Sequence, residues 1–262
     1  MIHTADLQLG AIQWCLPAKE FDIIPLAARI GYKAISMDMG YEPQGWNLRS
    51  LEVLRRLKEQ ADTEGITICT LSTNGIFYNG RTPADELNRV MEESLHAARI
   101  LGARTFQICS MSEGSVTTAE EKAAFTANVR RFCDLTSADQ LTIGCENDWD
   151  ADLNLSMLRE IDRKNYKIYM DVGNPYIFSH RDGLTLLKEL YQQICEVHVK
   201  DADLSSPLPF PPKETLLGSG SCHIAEALQF LKDKGFSGWV INENPTSGDN
   251  VQKDYEWLAE HA

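Results

Sequence analysis

Eight short apolar or β-branched runs recur along the chain, and each is followed by a stretch of different rhythm. The runs are Leu9–Leu16, Ala34–Met39, Ile66–Leu71, Thr105–Cys109, Leu141–Cys145, Lys167–Met170, Ile194–Val199 and Trp239–Ile241. The stretches between them are helix-like. Leu48–Ala61 repeats Leu51, Leu54 and Leu57. Asp85–Leu101 sets Leu87, Val90, Met91 and Leu95 on one face, and Ile224–Leu231 groups Ile224, Leu228 and Leu231. Gly31, Gly65, Gly102 and Gly235 stand where helices would end before the next run. Thr82-Pro83 and Thr118 stand where helices would begin. Eight strands alternating with helices favour a closed barrel over an open doubly wound sheet. No G-x-G-x-x-G follows the first run. The expected fold is α/β, a (β/α)8 TIM barrel, as a single domain over residues 1–262. The length of 262 residues suits it, since about 250 is typical.

Composition narrows the partners. The net charge is −13 and the pI about 4.9. That balance argues against nucleic acid or an anionic membrane, while leaving room for a locally basic pocket. Seven cysteines are scattered with no C-x-x-C pair. Cys69, Cys109, Cys145 and Cys195 lie in apolar runs and read as small buried hydrophobes. A reducing compartment suits that usage better than a disulfide scaffold. The printed sequence does not open on a basic-then-apolar segment, and no apolar run approaches about 18 residues. A soluble, cytoplasmic protein is expected.

Glu146, Asp171, His198 and Glu243 each close an apolar run and open a loop. In a barrel of parallel strands, residues at the C-terminal strand ends converge on one mouth. Three carboxylates and one imidazole meeting there make a site for a divalent cation. Each residue alone has a plainer role: a strand-end ion-pair partner for either glutamate, a core histidine for His198, a turn cap for Asp171. It is the set that points to a metal. Two later segments also face the mouth. Leu204–Leu217 carries four prolines and reads as a rigid pocket wall or a docking motif. Gly218-Ser219-Gly220-Ser221, just before a helix, reads as an anion-binding turn or simply a tight loop.

Glu146-Asn147, Asp171-Val172-Gly173-Asn174, His198-Val199-Lys200-Asp201, the stretch Gly218–Gly238 and Glu243 together resemble the xylose-isomerase-like barrels. The resemblance is to the sugar and sugar-phosphate isomerase/epimerase branch, which includes ketose 3-epimerases, L-xylulose-5-phosphate 3-epimerase and inosose dehydratases. It covers the whole chain and is strongest from Leu141 onward. It implies Glu146, Asp171, His198 and Glu243 as metal ligands and Glu146 with Glu243 as an acid/base pair. It also places Lys200 and Asp201 beside the substrate. Asn174 falls where many ketose epimerases have a substrate-binding histidine. An arginine often found after the Lys-Asp pair is replaced here by Ala202-Asp203-Leu204.

The chemistry suits those residue types. Epimerisation or isomerisation beside a carbonyl removes a C–H proton while negative charge grows on oxygen. A divalent ion stabilises that charge, one carboxylate takes the proton, and a second returns it to the opposite face. Carboxylate-rich coordination suits Mn²⁺ or Mg²⁺, and one imidazole also admits Co²⁺ or Zn²⁺. Lys200 reads as a substrate contact or as a partner of Asp201 or Asp203. Trp14, Phe77, Tyr78 and Trp149 read as sugar-stacking aromatics or pocket floor, with Trp14 the candidate for stacking. Gln13, Asn74 and Asn147 could hydrogen-bond hydroxyls, and Asn147 could instead orient Glu146. The expected function is a metal-dependent epimerase or isomerase of a ketose, keto-sugar or sugar phosphate. A lyase acting on a keto-polyol or keto-glycoside is the main alternative, and a non-catalytic sugar-binding barrel is the alternative of another class. A DNA-repair endonuclease of the same superfamily needs more strand-end histidines than His198 alone. The expected partner is a small sugar or sugar derivative, with no nucleic acid and no membrane; a homo-oligomer is compatible.

Overall fold

The computed structural model describes residues 6–40, 47–203, 215–244, 248 and 250–262. Eight strands form a closed parallel barrel in chain order. They are β1 (Gln8–Ile12), β2 (Ala34–Asp38), β3 (Thr67–Ser72), β4 (Thr105–Ser110), β5 (Thr142–Asn147), β6 (Tyr166–Asp171), β7 (Ile194–Val199) and β8 (Trp239–Asn242), and β8 pairs back onto β1. Around them run α1 (Ile23–Ile30), α2 (Leu51–Glu64), α3 (Ala84–Leu101), α4 (Ala119–Thr136), α5 (Ala151–Ile161), the short α6 (Asn174–Ser179), α7 (Gly183–Leu190), α8 (Ile224–Asp233) and α9 (Asn250–His261). The fold is the expected (β/α)8 TIM barrel. No helix among the described residues is long and apolar enough to cross a membrane.

Local chemistry explains most boundaries. Gly31, Gly65 and Gly102 end α1, α2 and α3 at positive φ, and Gly235 does so one residue beyond the cap of α8. Thr118 and Glu121 form a full capping box at the start of α4. At α3 the cap is Pro83, and the Thr82 hydroxyl instead accepts from the Phe77 N–H at 2.8 Å. The first run is shorter than expected as a strand. It leaves the sheet after Ile12 and turns through a 3₁₀ segment at Gln13–Cys15.

The main core lies between the outer barrel face and the helices. A second cluster of Ile12, Cys15, Ala34, Cys69 and Ile241 fills part of the barrel interior. Side chains alternate along a strand, so Ile241 in the interior puts Glu243 on the same inward face. The register lines up the mouth. Cys109 pairs with Glu146, Asp171 with His198, and Val199 with Asn242.

Candidate active site

Glu146 comes from β5, Asp171 ends β6, His198 is on β7, and Glu243 follows β8 directly. One ligand atom from each lies within 4.8 Å of all the others. Glu146 is held by neutral donors. Its Oε1 accepts from Asn174 Nδ2 at 2.6 Å, and its Oε2 accepts from Gln107 Nε2. Asp171 divides its oxygens. Oδ1 accepts the Gly173 and Asn174 N–H groups, both at 2.7 Å, and Oδ2 is left toward the cluster. The His198 imidazole is fully buried and meets the Tyr169 ring edge-on at 4.5 Å. Its Nδ1 lies 2.6 Å from Glu243 Oε2, 3.6 Å from Glu146 Oε2 and 3.9 Å from Asp171 Oδ2. Backbone pairing of the Glu243 N–H with the Val199 carbonyl at 3.0 Å fixes Glu243 against β7.

The electrostatics follow from packing these charges together. Burial pushes the Asp171 carboxyl up to about 7, against the pull of Lys200. Burial opposes the charge on His198, but Glu243 and Glu146 raise it to about 10. Burial acts to raise Glu243 as well, yet Lys200 and His198 outweigh it and hold that carboxyl well below its ordinary range. Asp171 Oδ2 and Glu243 Oε2 have only the Lys200 ammonium and the His198 ring close to them, and neither His198 nitrogen makes a hydrogen bond among the described residues. Buried polar atoms are normally satisfied. Four buried or nearly buried groups that converge without bonding one another suit a shared divalent ion, and three oxygens with one imidazole nitrogen are a donor set such ions take.

With this geometry in hand, a family model described as xylose isomerase-like TIM barrel matches residues 24–261. The chain belongs to this family. No curated protein matches it at a significant level. Among solved structures it is similar to 3-keto-D-glucoside 4-epimerase from E. coli, with TM-score 0.76 and 13% identity over 97% of this chain and 100% of that one. It is also similar to a probable 3-DHS dehydratase from Bacillus anthracis, with TM-score 0.74 and 15% identity over 97% and 98%. A family 2 AP endonuclease from Brucella melitensis gives TM-score 0.77 and 16% identity over 97% and 99%. At these identities the likeness is one of fold.

Several expected contact residues of this xylose isomerase-like barrel have other duties. Asp201 does not face the cluster with a free carboxylate. Its Oδ1 accepts the Ala202 and Cys222 N–H groups and its Oδ2 those of Gly218 and Gly220, all at 2.9–3.0 Å. The same bonds correct the anion reading of Gly218–Ser221, because those N–H groups already serve an internal anion. Asn174 donates its amide N–H to Glu146, and its Oδ1 has no hydrogen-bond partner among the described residues. Lys200 turns to the cluster carboxylates. Its Nζ lies 3.0 Å from Asp171 Oδ2 and 2.9 Å from Glu243 Oε2. Asn147 exchanges side-chain hydrogen bonds with Asn154, each 3.0 Å, and so shapes the loop into α5. Gln13 Oε1 accepts the Asp38 N–H at 3.1 Å at the end of β2. Trp14 is 45% exposed after β1, and Asn74 is half-buried after β3. Trp149 and Tyr78 are buried against Phe125 and Phe132, so they are core. Residues 204–214 of the proline-rich segment lie outside the described residues.

Sequence reasoning missed Gln107, Asp38 and Glu196. Gln107 shares the inward face of β4 with Cys109, and a polar residue at that alternate position was the available signal. Asp38 accepts the Gly40 and Asn74 N–H groups at 2.7 Å each and so ties the loops after β2 and β3 together. Glu196 is buried two residues before His198 and accepts from the Thr70 hydroxyl at 2.5 Å.

Proposed function

We propose that this barrel is a divalent-metal-dependent epimerase or isomerase of a ketose, keto-sugar or sugar phosphate. It acts by abstracting a proton next to a carbonyl to give an enediolate. The observation that carries this reading is the unlike setting of the two cluster glutamates. Glu146 is oriented by two neutral amides, whereas Glu243 lies beside the Lys200 ammonium and the His198 ring. A pair of carboxylates set apart by environment is what acid–base chemistry at two faces of one carbon requires.

Glu146, Asp171, His198 and Glu243 would hold the ion. Mn²⁺ or Mg²⁺ fits the carboxylate-rich set best, with Co²⁺ or Zn²⁺ admitted by the imidazole. When bound, the ion supplies Lewis-acid stabilisation of negative charge on the substrate oxygens. One glutamate takes the C–H proton and the other delivers a proton to the opposite face. Gln107 and Asn174 hold Glu146 in place for its part. Trp14, Gln13 and Asn74 stand around the mouth as candidate sugar contacts. That a 3-keto-glucoside epimerase shares the fold is consistent with this chemistry.

The similarity to a probable dehydratase keeps one second reading in view, since β-elimination begins with the same proton abstraction. An endonuclease reading gains less support, because the net charge of −13 opposes a polyanionic substrate.

Glu146→Gln and Glu243→Gln test the proposal. Each keeps a neutral oxygen able to coordinate but removes a base. Calorimetry should show retained metal binding, and turnover should fall by roughly 10²–10⁴-fold. For an epimerase, the variant lacking the forward base should lose C–H exchange in D₂O. The variant lacking the forward acid should still exchange while failing to form product. For a lyase, one glutamate alone should govern exchange and no epimer should appear. Wild-type turnover by either variant with metal bound would overturn the two-glutamate mechanism.

A further inference from the structure

Lys200 occupies an unexpected position for a substrate contact. Its ammonium bridges Asp171 Oδ2 and Glu243 Oε2 at 3.0 and 2.9 Å. These are two of the oxygens that the cluster would turn toward an ion. Asp171, held through its other oxygen by two N–H groups, cannot turn away from the lysine without breaking that turn. The backbone makes room for the arrangement at Gly173, where a Cβ would come within 2.5 Å of Lys200 Cγ and 2.7 Å of the Lys200 carbonyl oxygen. The lysine side chain is only 13% exposed.

Resting on the metal-centre reading above, we propose that Lys200 is a displaceable internal cation: its ammonium bridges Asp171 and Glu243 in the metal-free protein and leaves both when a divalent ion takes their oxygens. Three clustered carboxylates repel one another, and a buried anion without a counter-charge is costly. Lys200 supplies that counter-charge while the ion is absent. The same charge then competes with the ion for two ligand oxygens. Only the fraction of molecules with the lysine withdrawn can bind, and apparent affinity falls by that fraction. A flexible four-carbon stem with a compact charged end suits withdrawal. Once withdrawn, the ammonium is available to an anionic oxygen of the substrate.

The test is Mn²⁺ titration by calorimetry on chelator-stripped wild-type, Lys200→Met and Lys200→Arg proteins, with thermal unfolding of each metal-free form. The Met variant should bind Mn²⁺ about 5- to 150-fold more tightly, the usual range for coupled sites, and should unfold at lower temperature when metal-free. The Arg variant keeps a cation whose planar fork can hold both carboxylates, so it should bind Mn²⁺ no more tightly than wild type and keep the metal-free stability. A structure of the Mn²⁺-loaded wild type should show Lys200 Nζ beyond ion-pair distance from both carboxylates. Unchanged or weaker Mn²⁺ binding by the Met variant would overturn the proposal. So would a loaded structure in which Nζ still bridges Asp171 and Glu243, and that observation decides the matter even if the Met variant fails to fold without metal. Absence of Mn²⁺ binding in all three proteins would instead overturn the metal-centre reading on which the proposal stands.

Discussion

Asp171 shows how two readings of one residue can both hold. Its Oδ1 caps the turn at Gly173 and Asn174, and its Oδ2 stays with the cluster. A strand-end aspartate before Val-Gly-Asn is legible in sequence as either role, but the division between two oxygens is not, because it depends on where β7 and β8 bring their charges. His198 carries a pH consequence. Burial disfavours its charge, but Glu243 and Glu146 raise it to about 10, above the ordinary 6.5. The metal-free imidazole is therefore protonated at neutral pH, and a ligand nitrogen must lose its proton before it can coordinate. Metal affinity should rise with pH toward about 10 and weaken in acid, by up to about tenfold per unit. Proton release near neutrality should accompany binding. Mn²⁺ isotherms in buffers of different ionisation heat would measure both. An affinity flat with pH and free of proton release would remove His198 from the ligand set.

The described residues of the loop after β7 are organised around a single side chain. Asp201 gathers four N–H groups from Ala202, Gly218, Gly220 and Cys222, and its own N–H donates to Asn244 Oδ1 at 2.9 Å. Asn244 in turn donates to the Thr215 carbonyl and to Asp254 on α9. A Cβ at position 220 would stand 2.2 Å from Asp201 Oδ1, so the glycine there is what lets the loop close on the carboxylate. Asp201→Ala would strand these donors. A loss of about 1–3 kcal/mol, the cost of leaving buried hydrogen-bonding groups unsatisfied, should appear in chemical denaturation. Unchanged stability would mean that water replaces the carboxylate without penalty. The elements themselves were largely legible. All eight apolar runs became strands, because periodicity and glycine punctuation are local signals. The first run extended too far because Gln13–Cys15 stays apolar in part while it leaves the sheet. The hydrogen bonds of Asp201 and Asn174 were illegible for a different reason. Their partners lie 17 to 28 residues away or more, at Gly218–Cys222 and Glu146, and no local pattern announces such bonds.

At the scale of the whole molecule, closure of β8 onto β1 curves the sheet so that four neighbouring strand ends turn inward into one cluster. Eight alternations in a chain of this length made that closure legible, although no single segment encodes it. A ligand that binds only the folded barrel must stabilise it. Mn²⁺ at about 100 times its dissociation constant should add about 2.7 kcal/mol. The unfolding temperature should rise accordingly and fall back when a chelator is added. No rise would show that the cluster does not bind the ion in the folded state. The four cluster residues come from β5, β6, β7 and β8, which are neighbours in the ring, with Gln107 on β4 beside them. The proposed reacting machinery is thus confined to one arc. The described residues that follow β1, β2 and β3 form the opposite rim and include none of the four cluster residues. Reshaping that rim changes which molecule fits the mouth while leaving the charged arc as it stands, so the barrel is divided into an exchangeable half and a fixed half.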